Sequence, residues 1–197
     1  MVSPVIDLSH HNPTPDFGRM KAAGVVGVIH KATEGLTYQD PDRRARLASA
    51  VKAGLSIATY HFLRPGDMAG QMAHYVRTIQ PRPGERLIID HEDSGVSVAD
   101  LREAVKALLG QGFEVTIYSG HLIKDQLGNS RDDVLAKTSL WIAQYTSASS
   151  PTWPKGTWAT WSLWQWTDKE TVPGIAAPVD GNRWNGTSDN LRRWFGV

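Results

Sequence analysis

The chain has 197 residues, 41% of them hydrophobic and 21% charged, which is ordinary globular usage and enough for one generous domain. Twenty-one Lys and Arg against twenty Asp and Glu leave a net charge of +1, which argues against nucleic acid or an anionic membrane as the main partner, since both select basic patches. The chain contains no Cys, and this excludes thiol nucleophiles, Cys-ligated zinc and disulfides.

The N-terminus runs into an apolar stretch without a basic n-region, so no signal peptide is expected. No apolar run approaches the ~20 residues of a membrane helix, and membrane insertion is not expected. No repeat or low-complexity linker divides the chain, which reads as a single domain over 1–197. Short runs rich in β-branched residues follow at 4–8, 25–30, 56–62, 86–90 and 114–118. Between them lie segments of helical period. Residues 41–53 place Leu47 and Val51 four apart and stop at Gly54. Residues 66–79 align Met68, Met72, Tyr75, Val76 and Ile79. Residues 97–109 open with a Ser97/Asp100 capping box and carry Leu101, Val105, Leu108 and Leu109 inward.

Three further strands are predicted at 140–145, 161–166 and 177–180, joined by turn-rich stretches at 147–154 and 171–175. Early strand starts are spaced for βαβ units, which take roughly 30 residues each, whereas the last ones are not. Five strands each followed by a helix, then three joined by loops, describe an α/β barrel of irregular TIM-like type, stripped of helices on one side. A full barrel takes about 250 residues, so a shortened variant fits.

In such a barrel function belongs at the carboxyl ends of the strands. Asp7 lies near the end of the first strand, Asp90 ends the fourth with Glu92 two residues on, and Asp180 ends the last. Residues i and i+2 of an extended segment share a side, so Asp90 and Glu92 point together and His91 points away. Closure of the barrel makes the first and last strands neighbours and brings Asp7 to Asp180. Four carboxylates converge on one mouth.

Glycoside hydrolysis uses one protonated carboxyl for the leaving oxygen and a second carboxylate at the oxocarbenium-like centre. Crowded like charges keep one member protonated. Glu92, with the longer side chain beyond the strand end, fits the acid, and Asp90 fits its electrostatic partner. An isolated Asp-x-Glu is ordinarily a solvated loop; the coincidence across three strands is what favours catalysis. His10, His11, His61 and His91 could add imidazoles, but adjacent His10 and His11 would leave a strand on opposite faces and no metal-type His pair occurs, so no metal or other cofactor is expected.

The stretches Val-Ile-Asp-Leu-Ser-His (5–10), His-Lys-Ala-Thr-Glu-Gly-Leu-Thr-Tyr (30–38), Tyr-His-Phe-Leu-Arg-Pro (60–65), Ile-Ile-Asp-His-Glu-Asp (88–93), Tyr-Ser-Gly (118–120), Leu-Trp-Ile-Ala-Gln-Tyr (140–145), Leu-Trp-Gln-Trp-Thr (163–167) and Val-Asp-Gly-Asn-Arg-Trp-Asn-Gly (179–186) run in order along the chain. Together they resemble glycoside hydrolase family 25, the Chalaropsis-type lysozymes. That resemblance implies a (β/α)5β3 barrel and a retaining N-acetylmuramidase cutting the β-1,4 bond from N-acetylmuramic acid to N-acetylglucosamine in peptidoglycan.

The resemblance also implies Glu92 as acid/base, Asp90 as nucleophile or stabiliser of attack by the substrate's 2-acetamido group, and Asp7 and Asp180 as further site carboxylates. A catalytic domain without a separate cell-wall-binding domain is expected. So are a monomer acting on peptidoglycan glycan strands, and release from the cytoplasm through a phage holin or export by a non-classical route. A glycan-binding barrel without catalysis and a chitinase-like glycosidase are the alternatives.

Tyr60, Phe62, Tyr118, Trp141 and Tyr145 are candidates to stack on sugar faces, and Gln165 to bond hydroxyl or N-acetyl groups; core packing is the competing role for each aromatic. Lys31 and Glu34 fit a structural pair equally well. All eight Trp fall after residue 140. Trp153, Trp158, Trp161, Trp184 and Trp194 are expected to shield the helix-free side, with Trp141 and Trp166 left as sugar contacts.

Overall fold

Each β-branched run of the sequence pairs with the next one along, and the pairing returns to its start. The structure is a computed structural model that describes residues 2–82 and 85–196. Strand β1 (Val5–Leu8) is parallel to β2 (Gly27–Glu34), with Val5 opposite Gly27 and Leu8 opposite His30. Parallel pairing continues through β4 (Ser56–Phe62), β5 (Arg86–Asp90), β6 (Glu114–Ser119), β7 (Ser139–Ala143) and β8 (Leu163–Glu170). Strand β9 (Val179–Trp184) closes the ring between β8 and β1. The two-residue β3 (Tyr38–Gln39) folds back on β2 as a hairpin outside the ring.

Helices α1 (Phe17–Ala22), α2 (Arg43–Lys52), α3 (Met68–Ile79), α4 (Val98–Leu109) and α5 (His121–Leu127) follow the first five barrel strands, and loops join β7, β8 and β9. This is the expected five-plus-three barrel. The capping box forms in full: the Ser97 side chain accepts from Asp100 N–H while the Asp100 carboxylate accepts from Ser97 N–H. Gly54, at φ +77°, follows α2 in the left-handed region that stops a helix cheaply. Among the described residues no helix is long and apolar enough to cross a membrane.

The structure corrects several expectations about the elements. Strand β9 runs antiparallel to both neighbours, so Asp180 reaches the mouth from the start of a reversed strand and not from a carboxyl end. Val51 is exposed, because α2 buries Arg46, Leu47 and Ala50 instead; the Arg46 guanidinium donates to Ser9 O at 2.7 Å and Asn12 O at 2.9 Å. His10 and His11 lie in a turn beyond β1, where their rings sit 3.8 Å apart and not on opposite faces. Finally, a sixth helix, α6 (Ser188–Trp194), follows β9.

Period-two alternation sorts the side chains. Ile6 and Leu8 point outward into a cluster with Phe17 and Met20 of α1, whereas Val5 points inward with Ile29, Ala58, Ile88 and Leu163. That inner layer is apolar and tightly closed. Leu191 and Trp194 of α6 belong to it and form its floor. The Trp194 carbonyl accepts from Arg86 Nε at 3.2 Å, and the guanidinium lies 5.2 Å from the indole centroid. Gly27 is needed here, since a Cβ on it would strike the Phe195 ring.

The tryptophans divide accordingly. Trp158 and Trp164 are buried with Trp153, Trp161 and Trp166 packed around them, over strands that no helix covers. Trp184 and Trp194, with centroids 6.0 Å apart, serve the floor and not the helix-free side. Replacing Trp194 by Ala should therefore lower unfolding free energy by about 3–5 kcal/mol, the usual loss for a buried Trp; equilibrium denaturation in urea measures it, and a loss under 1 kcal/mol would mean that α6 is only appended.

Candidate active site

Two residues above the apolar layer, the same alternation aims a polar layer into the barrel: Asp7 above Val5, Tyr60 above Ala58, Asp90 above Ile88, Gln165 above Leu163. A cavity of about 230 Å³ opens there, lined by Asp7, Asp90, Glu92 and Asp180 together with Tyr60, Tyr118, Trp141, Tyr145 and Gln165. The four acids expected at one mouth are thus brought together. Phe62 lies outside this lining. It ends β4 at the rim, where its ring is held 5.0 Å from Lys31 Nζ and 4.9 Å from the Arg64 guanidinium. Trp166 is also elsewhere, on the outer face, with its indole N–H donating to Ser3 Oγ at 2.9 Å and its ring 4.2 Å from the Arg183 guanidinium.

Asp7 sits in a chain of directed hydrogen bonds. Asn182 Nδ2 donates to its carboxylate at 2.7 Å and Gln165 Nε2 at 3.1 Å. The Gln165 carbonyl in turn accepts from Tyr118 at 2.8 Å and Tyr145 at 2.9 Å, and Trp141 Nε1 donates to Asn182 Oδ1 at 2.7 Å. The Asn182 amide is oriented by the Trp141 indole, which can only donate, so its oxygen faces Trp141 and its nitrogen faces the acid. Asn182 was not among the sequence candidates. The signal was present: it lies two residues beyond Asp180 in one strand, hence on the same face.

The acids pair across the mouth, Asp90 with Glu92 and Asp7 with Asp180, each pair close enough to share a hydrogen bond when one member is protonated. Burial, then the charge of Asp180, pushes Asp7 well above the ordinary carboxyl range, opposed by the amides of Asn182 and Gln165. Burial and the charge of Glu92 do the same to Asp90, opposed chiefly by Lys31. Asp90 is 4% exposed, and its Oδ1 has no hydrogen-bond partner among the described residues. Glu92 stands past the strand end with solvent access; partial desolvation and Asp180 raise it, while His121 lowers it. Asp180 is raised to about 6, by burial first and by Asp168 second.

Lys31 is 9% exposed and anchors a rim network: its Nζ bonds Glu34 at 2.5 Å, and Arg64 joins Glu34 at 2.6 Å to Asp93 at 2.9 Å. His91 is fully buried and turned away from the mouth, its Nε2 donating to Val96 O at 3.0 Å. His10 Nδ1 lies 3.0 Å from Asp40 Oδ2. Among the described residues no three His, Cys, Asp or Glu side chains are placed to hold a metal ion. The arrangement can hold a shared proton beside a buried negative charge, in a pocket walled by phenols.

Comparison with known proteins adds independent information. The family model for Glycosyl hydrolases family 25 matches residues 6–175. Lysozyme M1 of Streptomyces globisporus is 30% identical over 94% of this chain and 69% of its own length. The autolytic lysozyme of Clostridium acetobutylicum is 32% identical over 89% of this chain, which spans only 53% of that longer protein. The crystal structure of a bacterial lysozyme from Streptomyces coelicolor superposes with a TM-score of 0.81 at 26% identity, covering 96% of this chain and 94% of the other. A family model that covers most of the barrel, with relatives aligned along nearly all of the chain, places this protein among the glycoside hydrolases, in family 25.

Proposed function

We propose that the chain is a lysozyme of N-acetylmuramidase type, cleaving the β-1,4 bond between N-acetylmuramic acid and N-acetylglucosamine in bacterial peptidoglycan with retention of configuration. The observation that carries this reading is the pairing of a buried Asp90 with a solvent-facing Glu92 at one barrel mouth in a family 25 chain. Glu92 reaches the open side of the cavity and serves as acid toward the leaving oxygen, then as base toward water. Asp90 supplies negative charge below the anomeric carbon, by direct bonding or by holding the substrate's acetamido group.

The charge of Asp180 helps hold the Glu92 proton, and Asp7 adds a fourth carboxyl to the mouth. The Tyr60 hydroxyl lines the cavity as a partner for ring oxygens and N-acetyl groups, while the Tyr118 and Tyr145 hydroxyls, which donate to Gln165, accept from sugar hydroxyls or the N-acetyl N–H. The substrate is the glycan strand of the wall.

Glu92→Gln preserves shape and removes the proton donor. Lysis of purified walls should fall by roughly 10²–10⁴-fold, the usual worth of a positioned acid, with the circular dichroism spectrum unchanged. Mass spectrometry of the wild-type digest should give new reducing-end N-acetylmuramic acid; reducing-end N-acetylglucosamine, or better cleavage of chitin, would point to the other glycosidases. Wall binding without fragment release by the wild type would leave only a binding barrel.

Asp180→Asn tests the electrostatics. Below the ordinary value of 3.8 Asp180 is protonated in folded and unfolded chains alike. As the pH rises to about 6 the unfolded chain loses that proton more readily, so the folded state loses stability across this window. The variant should therefore be more stable than wild type at pH 7.5, by on the order of 1 kcal/mol after solvent screening, and no more stable at pH 3.5. Removing this charge also lowers the proton affinity of Glu92, so the alkaline limb of the pH–activity profile should move to lower pH. An unmoved limb would separate Asp180 from the acid.

A further inference from the structure

The outer wall of the barrel carries a second concavity that shares no residue with the acidic mouth. It lies between the start of α2 and the last turns of α3, has a volume of about 550 Å³, and is lined by Arg43, Arg44, His74 and Arg77. Asp40 also lines it but is already engaged. Its carboxylate accepts from the His10 backbone N–H at 2.9 Å and the Asp42 N–H at 3.0 Å and meets the His10 ring, while Asp42 pairs with Arg46 at 2.7 Å. Among the described residues none of Arg43, Arg44 and Arg77 has a carboxylate within ion-pair distance.

Two of the lining side chains are held in place. Arg43 donates one N–H to Thr78 O at 3.2 Å, which fixes the guanidinium and leaves its other donors free to turn to the cavity. His74, 7% exposed, is held through Nε2 by Tyr38 O at 3.0 Å. Burial foremost, together with the charge of Arg44, works against the Arg43 cation. An anion between the guanidiniums relieves that repulsion. Planar guanidinium forks match the paired oxygens of a phosphate. A groove of this size, with three forks along it, suits successive charges of a chain better than one small ion.

We propose that this groove binds a phosphodiester-linked polyanion of the bacterial wall, through Arg44 and Arg77 with Arg43 as the anchored fork. The choice of a wall polymer rests on the muramidase reading; the phosphate chemistry does not. Such a contact would hold the enzyme on the wall while the mouth works along the glycan.

The test is fluorescence anisotropy with a labelled glycerol-phosphate oligomer, using the full chain and the double variant Arg44→Gln/Arg77→Gln. Wild type should bind, more weakly as salt rises, and the double variant at least tenfold more weakly. On glycan stripped of phosphodiester polymers the two proteins should be equally active. Equal oligomer affinity in the double variant would overturn the proposal. So would equal binding of a poly-glutamate of matched charge, equal competition by orthophosphate, or preference for phosphatidylglycerol vesicles. The binding assay needs no glycan cleavage, so failure of the muramidase reading and failure of this site are separate results.

Discussion

The site depends on a closed ring of short strands whose side chains alternate in and out. Closure leaves each inward residue no escape to solvent except through the open end. The lower inward level, Val5, Ile29, Ala58, Ile88 and Leu163, is apolar and is sealed from below by Leu191 and Trp194. The next level up is therefore held rigidly, with a dry floor beneath it and open water above. Carboxylates placed at that level lose much of their hydration and crowd one another, and both effects favour the protonated form.

The two acid pairs meet that cost differently. Asp7 is supported by amide donors from Asn182 and Gln165, themselves oriented by Trp141, Tyr118 and Tyr145. Asp90 has no such shell, and its unpartnered Oδ1 is offset mainly by the nearby Lys31 charge. A buried acceptor without a partner is a standing destabilisation, and it sits where a glycosidase needs uncompensated negative charge. The stability lost at the mouth is recovered in the floor and in the outer apolar clusters, where the packing is independent of the chemistry.

The helix-free side and the floor explain most of the aromatic excess. Between β7 and β9 the loops bring Trp153, Trp158 and Trp161 against Trp164, so indoles cover strands that helices leave bare. Trp141 alone among them lines the acidic cavity, and its N–H is already committed to Asn182. The concentration of tryptophan late in the chain thus reports architecture first and recognition second.

Much of this was legible in the sequence because alternation and helical period are local. The eight barrel strands, the capped helix α4, and the acids at positions 7, 90, 92 and 180 follow from spacing read along the chain. The short helices α1 and α5 offer too few turns for a period to show. The exposure of Val51 depended on which face of α2 met the turn carrying Ser9 and Asn12. The reversed direction of β9, the plug made by α6, the placing of Phe62 at the rim beside two cations and the amide shell of Asp7 each require knowing which distant segments become neighbours. Local pattern determined that these acids lie at strand ends; only ring closure decided that they share one cavity, because the antiparallel return of β9 sets Asp180 opposite Asp7.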